Sequence, residues 1–296
     1  MLSVCIPVYN YDVSRLLEAL HRLLTASGIP FEIVWIDDAS LPEFREKNRL
    51  IRQSNTIYIP LEQNIGRAKI RNLLAAKARY PYLLFMDCDS AIPSDMYIAQ
   101  YIDICQPNIV CYGGCIYEKE LKDASFSLRW KYGRQRESLT AGQRSNQPNL
   151  GFRTNNFLID RNVFNTVTFN EAITDYGHED TLFGIELEKN GFHVRHIDNP
   201  LIHTGLESNA IFLKKTESSL TNLLQIAHLL KNNEIDSSRY FRIIQATERL
   251  KKLRLKAICT FSFQIFRPVL IKNLLGKHPS LLLFDCYRVG FFCSIQ

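Results

Sequence analysis

Short apolar runs recur through the first two-thirds of the chain, each closed by polar or acidic residues. Leu2-Ser-Val-Cys-Ile-Pro-Val8 and residues 31–36, 56–59, 82–86, 108–112, 154–159 and 194–197 have the length and side-chain content of strands. Between them, residues 13–27 and 67–78 carry apolar positions at helical spacing, the second through Ile70, Leu73 and Leu74. Pro93-Ser94 opens a further helix toward Cys105, and residues 180–190 read as a helix ended by Gly191. Apolar strands alternating with helices predict a mainly parallel central sheet flanked by helices. After about Glu207 the pattern becomes wholly helical, over 210–231 and 237–258, with Asn232-Asn233 between. The expected division is an α/β domain over 1–206 and a helical region over 207–296. Residues 117–151 fit neither period. They hold Arg129, Lys131, Arg134, Arg136 and Arg144 among polar residues and read as a functional loop.

Composition narrows the class. With 296 residues, 46% hydrophobic and 22% charged, the chain is globular and long enough for one large α/β domain with an appendage. There is no fixed-period repeat, and no uncharged apolar run reaches the ~18 residues of a membrane-crossing helix. A strand-like segment begins at Leu2 with no basic stretch before it, so no signal peptide is expected. The eight cysteines include no Cys-x-x-Cys pair and read as free, mostly buried thiols, which makes a cytoplasmic location the expectation.

The net charge of +6 is unevenly placed. Residues 246–296 hold nine Lys/Arg against only Glu248 and Asp285, interleaved with Phe261, Phe263 and Phe266. Two readings stay open for this C-terminal region: a solvated basic face on helices packed against the main domain, or peripheral contact with the inner face of an anionic membrane. No reader motif accompanies the charge, so no nucleic acid partner is expected.

Ligands of an open parallel sheet bind at the carboxyl ends of its strands. Four polar clusters fall there: Pro7-Val-Tyr9-Asn10, Asp37-Asp38-Ala39-Ser40, Asn64-Ile-Gly66 with Arg71 one turn on, and Asp87-Cys88-Asp89. Two carboxylates one residue apart suit a hard divalent cation such as Mg²⁺ or Mn²⁺ together with a nucleotide's ribose or diphosphate. A solvated turn would use the same residues, Arg71 reads equally as a helix-surface residue, and Asp38 as a turn-stabilising one. Glu179-Asp180 supplies a second acidic pair, suited either to general-base work or to the dipole of a helix start.

Val4-Cys-Ile-Pro-Val-Tyr-Asn10, Trp35-Ile-Asp-Asp-Ala-Ser40, Asn64-Ile-Gly-Arg-Ala-Lys-Ile-Arg-Asn72, Leu84-Phe-Met-Asp-Cys-Asp89 and Gly177-His-Glu-Asp-Thr181 together resemble family 2 glycosyltransferases, over roughly residues 2–205. The resemblance implies a GT-A type three-layer nucleotide-binding sandwich, a nucleotide-sugar donor with UDP favoured, a divalent metal, and inversion at the anomeric carbon. It assigns Asp37 or Asp38, with Arg71, to the nucleobase and ribose near Pro7, Tyr9 and Asn10. Asn64 and Gly66 join that nucleotide set. Asp87 falls to the ribose or metal, Asp89 to the metal, and Asp180 to the base with Glu179 beside it. It further suggests His203 as a metal ligand and Asn155, Asn156 and His178 as lining the acceptor pocket; each histidine reads equally as structural. Ala39 replaces the usual glycine of its motif, which a turn without positive φ accepts. The Gln-x-x-Arg-Trp signature of processive synthases is absent, so transfer of one sugar to a glycan or lipid-linked oligosaccharide is expected. The alternatives are a sugar nucleotidyltransferase, whose glycine-rich phosphate loop is missing after the first strand, and a non-catalytic nucleotide-sugar binding module.

Overall fold

A computed structural model describes residues 1–173 and 177–296. In chain order these form β1 (Leu2–Val8), α1 (Ser14–Ala26), β2 (Phe31–Asp37), α2 (Pro42–Arg49), β3 (Thr56–Pro60), α3 (Arg67–Lys77), β4 (Tyr82–Met86) and β5 (Ser90–Ala91). Next come α4 (Tyr97–Ile102), β6 (Val110–Tyr112), β7 (Cys115–Ile116), α5 (Ser127–Tyr132), α6 (Ala141–Ser145), β8 (Asn156–Asp160) and α7 (Arg161–Thr166). The chain continues through α8 (Glu179–Lys189), β9 (Arg195–His196), β10 (Leu201–His203), α9 (Asn209–Asn232), α10 (Arg242–Lys252), α11 (Lys256–Leu274) and α12 (Leu281–Ile295). They divide into two compact units. The first holds residues 1–118, 137–173 and 179–205; the second holds 119–136, 177–178 and 206–296.

In the first unit, seven strands form a sheet in the order β3-β2-β1-β4-β8-β6-β9. Its β3, β2, β1 and β4 run parallel, β8 runs antiparallel to both its neighbours, and β9 is parallel to β6. Alternate side chains of β1 explain the layers. Val4 and Ile6 join Leu16, Leu17, Leu20 and Leu24 of α1 on one face. Cys5 joins Ile70 and Leu74 of α3 on the other. A second, three-stranded sheet, β5-β10-β7, lies beyond what apolar periodicity announces. Its strands are two or three residues long, too short to show a repeat.

The second unit is helical and carries its own core. Leu128 of α5, Leu213 of α9, Phe263 and Leu274 of α11, and Phe284 and Tyr287 of α12 are buried together. Two expectations change here. Part of the polar stretch over 117–151 is helix, because Leu128 is fully buried in that core and its backbone N–H donates to Asn209 at 2.8 Å. Tertiary packing overrides the weak local signal. The segment over 237–258 is not one helix. Arg254 takes φ 59°, and Leu255 N–H returns to Leu250 C=O at 2.8 Å, the closure that ends a helix through a left-handed residue. No glycine marks that stop, so the sequence conceals it.

Candidate active site

The order of strands locates a crevice. The chain passes from β1 outward to β2 and β3, then returns to place β4 on the other side of β1. Loops leaving β1 and β4 therefore diverge at their carboxyl ends. Pairing of β1 with β4 stops at Cys5 opposite Phe85, and that leaves Pro7 without a β4 partner, where its missing N–H costs nothing. Because β8 is antiparallel, its first residue, Asn156, faces Met86 across the ladder, and Asp87 N–H donates to Asn155 C=O at 3.2 Å.

Arg71 joins the two acidic motifs. It projects from the second turn of α3, is 2% exposed, and sets one guanidinium nitrogen 2.8 Å from Asp87. The other lies 4.0 Å from Glu179, which also receives Arg67 at 3.0 Å. Burial would raise the Glu179 carboxyl, yet the charges of Arg67 and Arg71 hold it below the ordinary range. Next in the chain, Asp180 accepts the Thr181 N–H at 2.7 Å and faces Arg153 at 3.4 Å. Residues as far as 112 positions apart in the chain thus form one continuous polar cluster.

A second cluster adjoins Asp89. The register of β10 on β5 sets His203 opposite Ser90, so His203 Nδ1 comes 3.5 Å from Asp89 Oδ2. The Tyr117 ring meets the imidazole edge-on at 5.3 Å. Burial works against the charged form of Asp89, but the His203 contact and the field of Arg67 hold its carboxyl low. Thr204 donates to Asp89 C=O at 2.8 Å and meets the Tyr11 hydroxyl at 2.8 Å, tying the loop after β1 to the Asp-x-Asp turn. A Cβ at Gly205 would overlap the Asp89 carboxylate and its Cβ. One carboxylate beside one imidazole fits a hard divalent ion that completes its shell from diphosphate oxygens and water. Among the described residues, no group of three His, Cys, Asp or Glu side chains forms a closed metal cage.

Several expected roles change in place. Arg71 is buried, not a helix-surface residue, and its ion-pair partners are Asp87 and Glu179. Asp37 turns inward to accept the Ser40 N–H at 2.7 Å, and Asp38 accepts Ile65 and Gly66 N–H at 2.7 and 3.1 Å. Asp38 therefore holds the entry to α3, as the turn-stabilising reading has it. Its carboxyl is pushed up by burial, against the pull of those two amides. Ala39 does sit at positive φ (60°), so the turn requires the conformation that a glycine adopts most easily. Asn10 binds the same turn, with its N–H on Ser40 Oγ and its Oδ1 taking the Leu41 N–H, both at 2.8 Å. Tyr9 is 54% exposed, and Asn64 donates to Asp38 C=O at 3.2 Å.

Asn156 does not line a pocket. It is fully buried, accepts from Tyr97 and Tyr101 at 2.7 and 2.8 Å, and donates to Gly114 and Asn199 C=O at 2.8 and 2.9 Å. Asn155 is half-buried and takes the Tyr112 hydroxyl at 3.2 Å. His178 lies in the helical unit, bonded to Ser219 at 3.0 Å with its ring edge-on to Phe241. Sequence reasoning passed over Arg67, Arg153 and Thr204. Arg67 stands inside a quoted motif, whereas nothing local distinguishes Arg153 in its polar stretch.

The sequence profile of glycosyl transferase family 2 matches residues 3–173. Two curated relatives, both uncharacterised glycosyltransferases, are 33% identical to the chain: over 93 residues in Rickettsia felis and 94 in Rickettsia conorii. Those matches cover 31% and 32% of this chain but only 15% of each relative. Among solved structures, a mannosyltransferase from Pyrobaculum calidifontis, in complex with GDP-Man and Mn²⁺, superposes with a TM-score of 0.53. It is 14% identical and is covered over 64% of its length, against 77% of this chain, a likeness of fold. Residues 1–349 of Staphylococcus aureus TarS are 19% identical, covering 98% of this chain and 90% of that one, with a TM-score of 0.48.

Proposed function

Since the chain belongs to glycosyl transferase family 2, we propose that it moves one sugar from a nucleotide-sugar donor to an acceptor hydroxyl with inversion at the anomeric carbon. The donor is a UDP-sugar. The acceptor is a glycan or lipid-linked oligosaccharide of a surface polysaccharide. The observation that carries this reading is the junction of Asp87, Arg71 and Glu179. It brings the Asp-x-Asp turn and the start of α8 to one locus.

Each step falls to a residue of that locus. Asp180, the first-turn acid beside Glu179, takes the proton of the acceptor hydroxyl as its oxygen attacks the anomeric carbon. The bond from that carbon to the nucleotide's diphosphate breaks on the opposite face. Arg153, 3.4 Å from Asp180, orients the base. Glu179 is engaged by Arg67 and Arg71 and anchors the start of α8. Asp87 meets the ribose, and the turns at Asn10, Asp37, Asp38 and Asn64 form the base-side wall. Asp89 and His203 would hold Mn²⁺ or Mg²⁺, which when bound supplies Lewis acidity to the departing diphosphate.

A panel of nucleotide sugars with Mn²⁺ or Mg²⁺ tests this proposal. A UDP-sugar should raise the melting temperature and release UDP slowly into water. Pyrophosphate released from a nucleoside triphosphate and a sugar phosphate would instead establish a nucleotidyltransferase. Binding without turnover on any acceptor would reduce the chain to a binding module.

A further inference from the structure

Helix α11 carries apolar side chains on two opposite faces. Its inner face is accounted for, since Phe263 and Leu274 are buried in the helical unit's core. Gly290 of α12 lets that contact close, because a Cβ there would meet the Phe263 ring. Among the described residues, nothing covers the opposite face in that way. Ile258, Phe261, Ile265 and Val269 recur at i, i+3, i+7 and i+11, with Phe266 beside them, and all five are 54–65% exposed. Isolated exposed apolar side chains are ordinary, but a continuous stripe along a helix marks an interaction surface.

Charge identifies the partner. Residues 249–284 contain eight Lys/Arg and no Asp or Glu. Lys251, Lys252 and Arg254 are exposed ahead of the stripe; Lys272 continues it three residues beyond Val269, and Lys277 follows. Arg267, on the inner side, is spent on Glu217 at 3.0 Å. A second copy laid stripe to stripe would set cation against cation, because a two-fold contact pairs a patch with itself. Among the described residues, no helix is long and apolar enough to cross a bilayer. Apolar side chains set between cations, on a helix that does not cross, fit a headgroup interface.

We propose that α11 lies in the surface of an anionic phospholipid bilayer, with Ile258, Phe261, Ile265, Phe266 and Val269 among the acyl chains. Lys251, Lys252, Arg254 and Lys272 meet lipid phosphates. The interaction is independent of the sugar-transfer site, so the two are tested apart.

Flotation of the full chain with vesicles of phosphatidylcholine alone, or mixed with phosphatidylglycerol, gives the test. Binding is expected on the mixed vesicles, weaker on neutral ones, and reduced by high salt as screening shortens. Phe261→Asp with Ile265→Asp should cut partitioning at least ~10-fold, two buried aromatic and aliphatic side chains being lost. Lys251→Glu with Lys252→Glu should weaken it at low salt and little at high salt. All variants should keep the parent's melting temperature and UDP binding, since these side chains are exposed. Equal flotation of parent and Phe261→Asp/Ile265→Asp, or no binding to mixed vesicles, overturns the proposal. So does a parent dimer that the same variant dissolves while vesicle binding is unchanged, which would assign the stripe to self-association.

Discussion

At the scale of single residues, the site is a set of charges whose partners fix their protonation. Glu179 and Asp89 both ionise more readily in the folded chain than an ordinary carboxyl. Each contributes stability that is complete above the unfolded value, near ~4, and that is lost as pH falls through the lower folded value. Acid unfolding should therefore steepen below about pH 4, and Glu179→Gln should flatten part of that fall in a pH series of melts. Asp38 has the opposite sign, because its carboxyl is raised. For catalysis, Asp180→Asn should retain UDP binding while turnover drops roughly 10²–10⁴-fold, the usual weight of a general base. Gly205→Ala makes a sharper structural point. Its Cβ would displace the Asp89 carboxylate, so the Mn²⁺-dependent part of UDP stabilisation should vanish and the melting temperature should fall as the His203 contact is lost. Equal Mn²⁺ dependence in Gly205→Ala and parent would separate Asp89 from the metal.

At the scale of elements, the strands that carry the site are those whose apolar runs are plainest. Residues 2–8 and 82–86 were legible because β1 and β4 are almost wholly buried, so their sequences are apolar apart from Ser3. The helix starting at Arg67 was legible as well, but the depth of Arg71 was not. A charged residue in a helical pattern looks like surface until its partners, Asp87 and Glu179, are known. Replacing it by alanine strands the Asp87 carboxylate, leaves Glu179 to Arg67 alone and should cost about 3–5 kcal/mol in denaturant melts. Strands β5, β7 and β10 escaped notice because nothing in two or three residues shows a period. Yet β10 is what brings His203 to Asp89. The break after α10 was hidden for a related reason, a left-handed residue that is not glycine. Arg254→Gly should raise stability by up to ~1 kcal/mol, less what glycine adds to the entropy of the unfolded chain.

At the scale of the whole molecule, the first unit supplies a sheet whose switch of strand order opens a crevice between β1 and β4. The second supplies helices with a core of their own and one uncovered apolar face. The division of labour we propose is sugar transfer by the first unit and membrane contact by the second. Phe261→Asp/Ile265→Asp should therefore keep turnover on a soluble acceptor while losing it on an acceptor embedded in vesicles. The central claim, that acidic side chains distant along the chain build one sugar-transfer site, is tested most directly by a crystal structure with UDP and Mn²⁺. The account predicts the ion on Asp89 and His203, the ribose at Asp87, and Asp180 facing the open side of the diphosphate. An ion bound away from Asp89, or a nucleotide lodged off the crevice between β1 and β4, would contradict it.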